Sequence, residues 1–341
     1  MNTDKHYLDK QRLQGDKEAD LLVNAIFSSN RQAELYKVFR LNANQIKLLE
    51  QSDLKQFLIS VKVKPAWYDD DRLLHGQQVF KQYAQEMMTL LGAMSLPYCY
   101  AASPGNKALY LSEKMRQATG KRLIETAGFV INVLTPSSLS DDQEGHLHIN
   151  KTRLIHALSR YHLQQSNWNM EWGLPINQED MAGTNLAFSY IILLGMQQAG
   201  FSISHKEKED FLFVWRYIGY QLNIEEELLP ESFAEATLLT QIVKNRNFRK
   251  TEEGIALTNE LLNYFKMVIP SQQAAFIGAQ IRFCLGKEVA GYIGLQPEPF
   301  KDKITSMVNS LKSIQNMMSS PSNSYEKMMA DHVRLRKKFI G

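Results

Sequence analysis

Two cysteines, Cys99 and Cys284, are all that 341 residues contain. They stand far apart and in no metal-ligating spacing. That excludes a disulfide-stapled scaffold and a zinc-finger-type site. Charge of one sign is missing as well. There are 39 Lys and Arg against 36 Asp and Glu, a net charge of +3. This is too little, and too dispersed, for the cationic face that nucleic acid requires. The basic cluster "RLRKKF" near the C-terminus reads as a solvated helix end. The most apolar run, "LAFSYIILLGM" at Leu186–Met196, falls short of the roughly 20 residues that span a bilayer. The N-terminus is polar and shows no signal segment, which predicts a cytoplasmic, reducing compartment. Strand patterning is nearly absent, and only "VKVKP" at Val61–Pro65 resembles it.

What remains is helical periodicity in a chain that is 44% hydrophobic, enough for a large core. The pattern predicts helices over Asp16–Ser28, Asp70–Met94, Ser112–Thr119, Leu123–Leu134, Asn150–Trp168, Gln178–Gly200, Ser204–Leu222 and Ser324–Phe339, among others. Breaks are expected at "SLP" (from Ser95), "SPGN" (from Ser103) and the polar loop Thr135–Gly145. Asn177 and Ser204 are candidate N-caps, and Gly200 is a candidate helix stop. The charges of Glu179 and Asp180 suit a helix start better than acid–base chemistry. Asp69–Asp71 suggest a metal, but adjacent residues point in different directions; adding His75 does not complete a site. No repeat or flexible linker divides the chain. The expectation is an all-α single helical domain with an N-terminal helical region (residues 1–105), a core (106–300) and a C-terminal extension (301–341).

One stretch stands out for chemistry. In "RLIHALSRYHL", Arg153, His156 and Arg160 recur at helical spacing and share a face beside apolar residues. His162 lies about 120° away around the helix and cannot join His156 on one metal. A lone histidine on such a face is most often a satisfied core residue. A buried imidazole still needs partners, and a haem iron is one candidate.

The series continues with "WGLPINQEDMAGTNLAFS" and "FLFVWRYIGYQLNI". Together, from about Arg122 to Pro230, it resembles the rubber oxygenase (latex clearing protein) and MpaB-type oxygenase family. The resemblance implies an all-helical fold that holds haem b in a globin-like core. It makes His156 the axial ligand of the haem iron, within an Arg-x-x-His-x-x-x-Arg helix that includes Arg153 and Arg160. Thr184 and Phe188 are candidate cofactor contacts, Phe188 being first a core residue and only secondarily haem wall, and Trp215 and Arg216 read as a packed aromatic and an ion-paired arginine that brace the ligand helix. Rubber oxygenases carry Arg-x-x-Lys-Thr on the distal side. This chain reads "RLIET", so Arg122 and Thr126 match while Glu125 replaces the lysine. These three are the candidate catalytic residues. The implied activity is oxidation or cleavage of a carbon–carbon double bond by dioxygen, in an apolar small-molecule or polyprenoid substrate. The alternatives are a haem sensor or store without oxygenase activity, and a helical scaffold of the family without cofactor. Glu125 favours keeping them in view.

Overall fold

The computed structural model describes residues 1–111, 119–140, 144–166, 168–318 and 323–340, with side chains omitted over 310–318. The helix expected over Ser112–Thr119 therefore lies, except for Thr119, outside the described residues. Among these residues every extended element is a helix, and the only pairing of strand type is an isolated bridge between Ala102 and Phe248. Val61–Pro65 is extended but pairs with no strand. Instead Gln221 satisfies it, accepting from the Lys62 amide at 3.1 Å and donating to the Lys62 carbonyl at 3.2 Å.

Fifteen of the helices frame the candidate site and carry most of the core residues. They are α1 (Lys5–Gln11), α2 (Lys17–Ser28), α3 (Asp53–Ile59), α4 (Asp70–Gln82) and α5 (Leu96–Ala101). Next come α6 (Gly105–Leu111), α7 (Thr119–Leu134), α8 (Glu144–Gln165), α9 (Gln178–Phe188) and α10 (Tyr190–Gln198). The last are α11 (His205–Gln221), α12 (Phe233–Asn247), α13 (Glu252–Val268), α14 (Ile277–Tyr292) and α15 (Ser324–Phe339). The expected caps form: Asn177 accepts from the Asp180 amide, Ser204 closes a capping box with Glu207, and Gly200 adopts φ 81°. Asp69 caps α4, so the aspartate run starts a helix.

Two long expected helices are broken. Tyr83 (φ −118°, ψ 26°) separates α4 from Ala84–Leu90, and Ser189 (φ −115°, ψ −81°) separates α9 from α10. The apolar period runs through both breaks, so the pattern hides them. Conversely, "SLP" does not break the chain. A π-helical turn over Leu91–Ser95 leads straight into α5, with Pro97 in its first turn, where the missing N–H is harmless.

Packing sets the layers. α4 and α11 touch most closely because Gly76 has no side chain. A Cβ there would lie 2.2 Å from the Asp210 carbonyl oxygen. The Asp210 carboxylate ties the pair, accepting from Arg72 at 2.9 Å and contacting His75 at 2.7 Å. His75 thus belongs to Asp210, not to a metal set with Asp71. The main core fills the space between α4, α7 and α9–α11, and a second core joins α5 and α7 to α13–α15. A third packs α2 and α3 against Leu147, Leu154 and Ala157 of α8. The last helix, α15, runs antiparallel along α7. The Tyr325 hydroxyl meets Thr135 at 2.9 Å, His332 lies over Gly128, and Phe339 presses on Gly120, where a Cβ would come within 2.4 Å of its ring.

Candidate haem site

One face of α8 is spent on the N-terminal helices, through Leu147, Leu154 and Ala157. At helical spacing, the strip His148, Thr152, His156 then turns the other way, towards α7. His156 is densely surrounded by protein, yet its side chain keeps accessible surface. A space therefore opens at the ring. Among the described residues no hydrogen bond to the imidazole is formed. Burial pushes its pKa down to about 3, helped by the cations of Arg160 and Arg122 and opposed by Asp16. The imidazole is neutral across the physiological range, the form that ligates a metal.

Across the space stands α7. Arg122 acts electrostatically on His156, and Glu125 and Tyr100 act on Arg122. Burial pulls the Arg122 guanidinium below its usual range, while Tyr100 and Glu125 pull it back. Thr126, four residues from Arg122, shares its side of α7 and is partly accessible. The structure thus brings together His156, Arg122, Glu125 and Tyr100. No sequence pattern pointed to Tyr100.

The flanking arginines brace α8. Arg153, 2% exposed, donates from Nε and Nη2 to Asp16 at 2.7 and 3.1 Å and from Nη2 to Glu18 at 2.6 Å. Arg160, 1% exposed, donates to Asp20 at 2.7 Å and to the Ile176 carbonyl at 2.9 Å. Its Nη2 is buried and has no hydrogen-bond partner among the described residues. Thr184 and Phe188 sit on α9. Thr184 donates to the Asp180 carbonyl at 2.9 Å and hydrogen-bonds the Cys99 thiol, which burial pushes up to about 12. Thr184 itself is exposed. Phe188 is 7% exposed and packs edge-on against Trp215. Among the described residues no hydrogen bond or ion pair joins Thr184 or Phe188 to His156.

Other candidates resolve into structural roles. Glu179 is fully buried and accepts from Arg246 at 2.8 Å and Asn247 at 3.0 Å, while Asp180 accepts from Asn177 at 2.8 Å. Trp215 is a packed aromatic and Arg216 is ion-paired, but among the described residues no hydrogen bond or ion pair joins either of them to α8. Arg216 pairs with Glu231 at 2.7 Å and stacks on Trp67, and α11 instead meets α8 through Tyr217 and His146 at 3.2 Å. His162 packs edge-on against Phe27, and His205 is exposed. Among the described residues no cluster of three or more His, Cys, Asp or Glu could hold a bare metal ion.

The donor set fits a haem. A neutral imidazole sits inside the protein with some surface still accessible, and a buried donor of Arg160, which acts on it electrostatically, lacks an acceptor among the described residues, as a propionate carboxylate would provide. The model of the ER-bound oxygenase mpaB/B'/rubber oxygenase catalytic domain matches residues 80–305. The chain belongs to this oxygenase family. It is similar to the rubber oxygenase of Streptomyces sp. (strain K30), with 27% identity over 301 residues, 85% of this chain and 72% of that protein. A solved latex clearing protein in the closed state shares the fold at a TM-score of 0.79. The likeness covers 97% of this chain and 91% of the other, at 23% identity. Among the described residues no helix is long and apolar enough to cross a membrane.

Proposed function

We propose that the protein is a haem b-dependent oxygenase that uses dioxygen to oxidise or cleave a carbon–carbon double bond in an apolar substrate of polyprenoid or lipid class. The observation that carries this reading is the His156 imidazole: surrounded by protein, neutral, near Arg122, and without a hydrogen bond among the described residues. His156 would hold the iron, Arg160 would offer its spare donor to a propionate, and Thr184 and Phe188 would form wall. Bound haem would supply the redox-active iron that dioxygen chemistry needs.

The chain's own residues set the conditions. Burial keeps the imidazole deprotonated and excludes bulk water. Arg122 places a positive charge on the distal side, where it favours a partial negative charge on a reacting oxygen atom. Glu125 and Thr126 follow on the same side of α7, within one turn of Arg122. Glu125 replaces the lysine of the rubber oxygenases, and this favours a second reading, a haem sensor or store.

The visible spectrum of the protein expressed with ample haem tests the cofactor. A Soret band from non-covalent haem is expected, since no Cys-x-x-Cys-His attachment motif is present. His156→Ala should abolish or greatly weaken haem binding, while His162→Ala and His205→Ala should not. A colourless protein that also refuses added haem refutes the assignment. Oxygen uptake with polyprenoid or unsaturated lipid substrates then separates the oxygenase from the sensor.

A further inference from the structure

We infer that Asp16 and Asp20, in an N-terminal segment outside the stretch matched by the family model, are positioning residues for the His156 site, fixing the rotation of α8 and the charge behind the imidazole. The inference rests on the reading of His156 as the axial ligand.

Arg153 and Arg160 lie seven residues apart on α8, about two turns, with His156 between them. Each is almost wholly buried, and each is anchored on the first turn of α2 or its cap. Asp16 takes Arg153 through both carboxylate oxygens, at 2.7 and 3.1 Å, and the face of the Phe57 ring lies 4.7 Å from the guanidinium. Asp16 is itself 1% exposed and is held from two further sides. It caps α2 through the Ala19 amide at 3.3 Å and accepts from Asn223 at 3.0 Å. Asp20 takes Arg160 at 2.7 Å. A helix pinned on both sides of a residue cannot roll about its axis. The consequence for the ring is large. At about 6 Å from the helix axis, a roll of roughly 20° moves the imidazole by about 2 Å. A working site tolerates only about 0.5 Å.

The same contacts set the charge. Two guanidiniums one turn either side of an iron ligand would disfavour ferric iron. Three carboxylates, Asp16, Glu18 and Asp20, face those two guanidiniums. Arg160 and Asp16 act on His156 in opposite senses. The N-terminal helix therefore belongs to the cofactor site, although it contributes no atom to the iron or to the distal side.

The test uses the full chain with haem added, and the variants Asp16→Asn, Asp20→Asn and the pair Asp16→Asn with Arg153→Met. Three quantities are read, at a temperature where circular dichroism shows each variant folded. They are the thermal midpoint without haem, the rate of haem transfer to excess apomyoglobin, and the ferric visible spectrum. Both single variants should lose haem about tenfold faster or more, with an altered ferric spectrum. The pair removes the buried unmatched charge and should regain the thermal midpoint, but not the haem retention or the spectrum. If the pair regains all three, or if Asp20→Asn keeps the parent's haem-loss rate and spectrum, the carboxylates are structural ties only and the inference falls. If the unaltered chain takes up no haem, the axial-ligand reading falls and takes the inference with it.

Discussion

Acidification should destabilise the haem-free fold in a way that traces to His148. This residue sits on α8 two turns before His156. Burial pushes its pKa down to about 4, the cations of Lys151 and of Arg336 on α15 push in the same direction, and Glu144 opposes them. In the unfolded chain a histidine titrates near 6.5. Between about 4 and 6.5 the unfolded chain binds a proton that the folded protein refuses. The stability held by the neutral imidazole is therefore complete above about pH 6.5. It declines as pH falls, and no more is lost from this group below about 4. At pH 5, about 1.5 units below the unfolded value, the loss is roughly 2 kcal/mol. That is a large part of a typical stability of about 5–15 kcal/mol. Urea unfolding followed by tryptophan fluorescence at about pH 7.5 and 5 measures it. His148→Gln should lose roughly 2 kcal/mol less than the parent between those conditions. Equal losses in the two proteins would show that His148 titrates alike folded and unfolded, and would refute the link drawn from its burial to acid sensitivity.

Gly76→Ala should destabilise by at least about 1–3 kcal/mol, because its Cβ would collide with the Asp210 carbonyl at 2.2 Å. By contrast Gly291→Ala, on α14 with nothing within 4 Å, should stabilise by roughly 0.5–1 kcal/mol. Thermal unfolding of both decides the matter, and equal shifts would mean that the α4–α11 contact is not set by Gly76. Glu125→Gln should keep haem uptake while changing the rate of oxygen consumption. An unchanged rate would reduce Glu125 to a partner of Arg122.

Much of the fold was legible because its signals are local. The apolar period of α7, the caps at Asn177 and Ser204, and the stop at Gly200 each lie within a few residues of what they control. The breaks at Tyr83 and Ser189 were not legible, since hydrophobic residues continue in phase across them and the tertiary packing bends the chain. The candidate site divides along the same line. His156 stood out as an imidazole among apolar neighbours, and the resemblance pointed to it. Its support did not stand out. Asp16 and Asp20 look like ordinary first-turn carboxylates, and their pairing with Arg153 and Arg160 crosses about 140 residues with no pattern to announce it. Tyr100 was hidden for the same reason, since only the approach of α5 to α7 gives it a relation to Arg122.

The antiparallel lie of α15 along α7 bears on the order in which the protein can be completed. Synthesis proceeds from the N-terminus, and segments pack as they emerge. α2 can clasp α8 while the rest of the chain is still being made. α7 cannot be closed in the same way, because Phe339, His332 and Tyr325, which follow it far along the chain, cover Gly120, Gly128 and Thr135. The helix bearing Arg122, Glu125 and Thr126 is thus covered only once α15 has emerged, well after α2 has met α8.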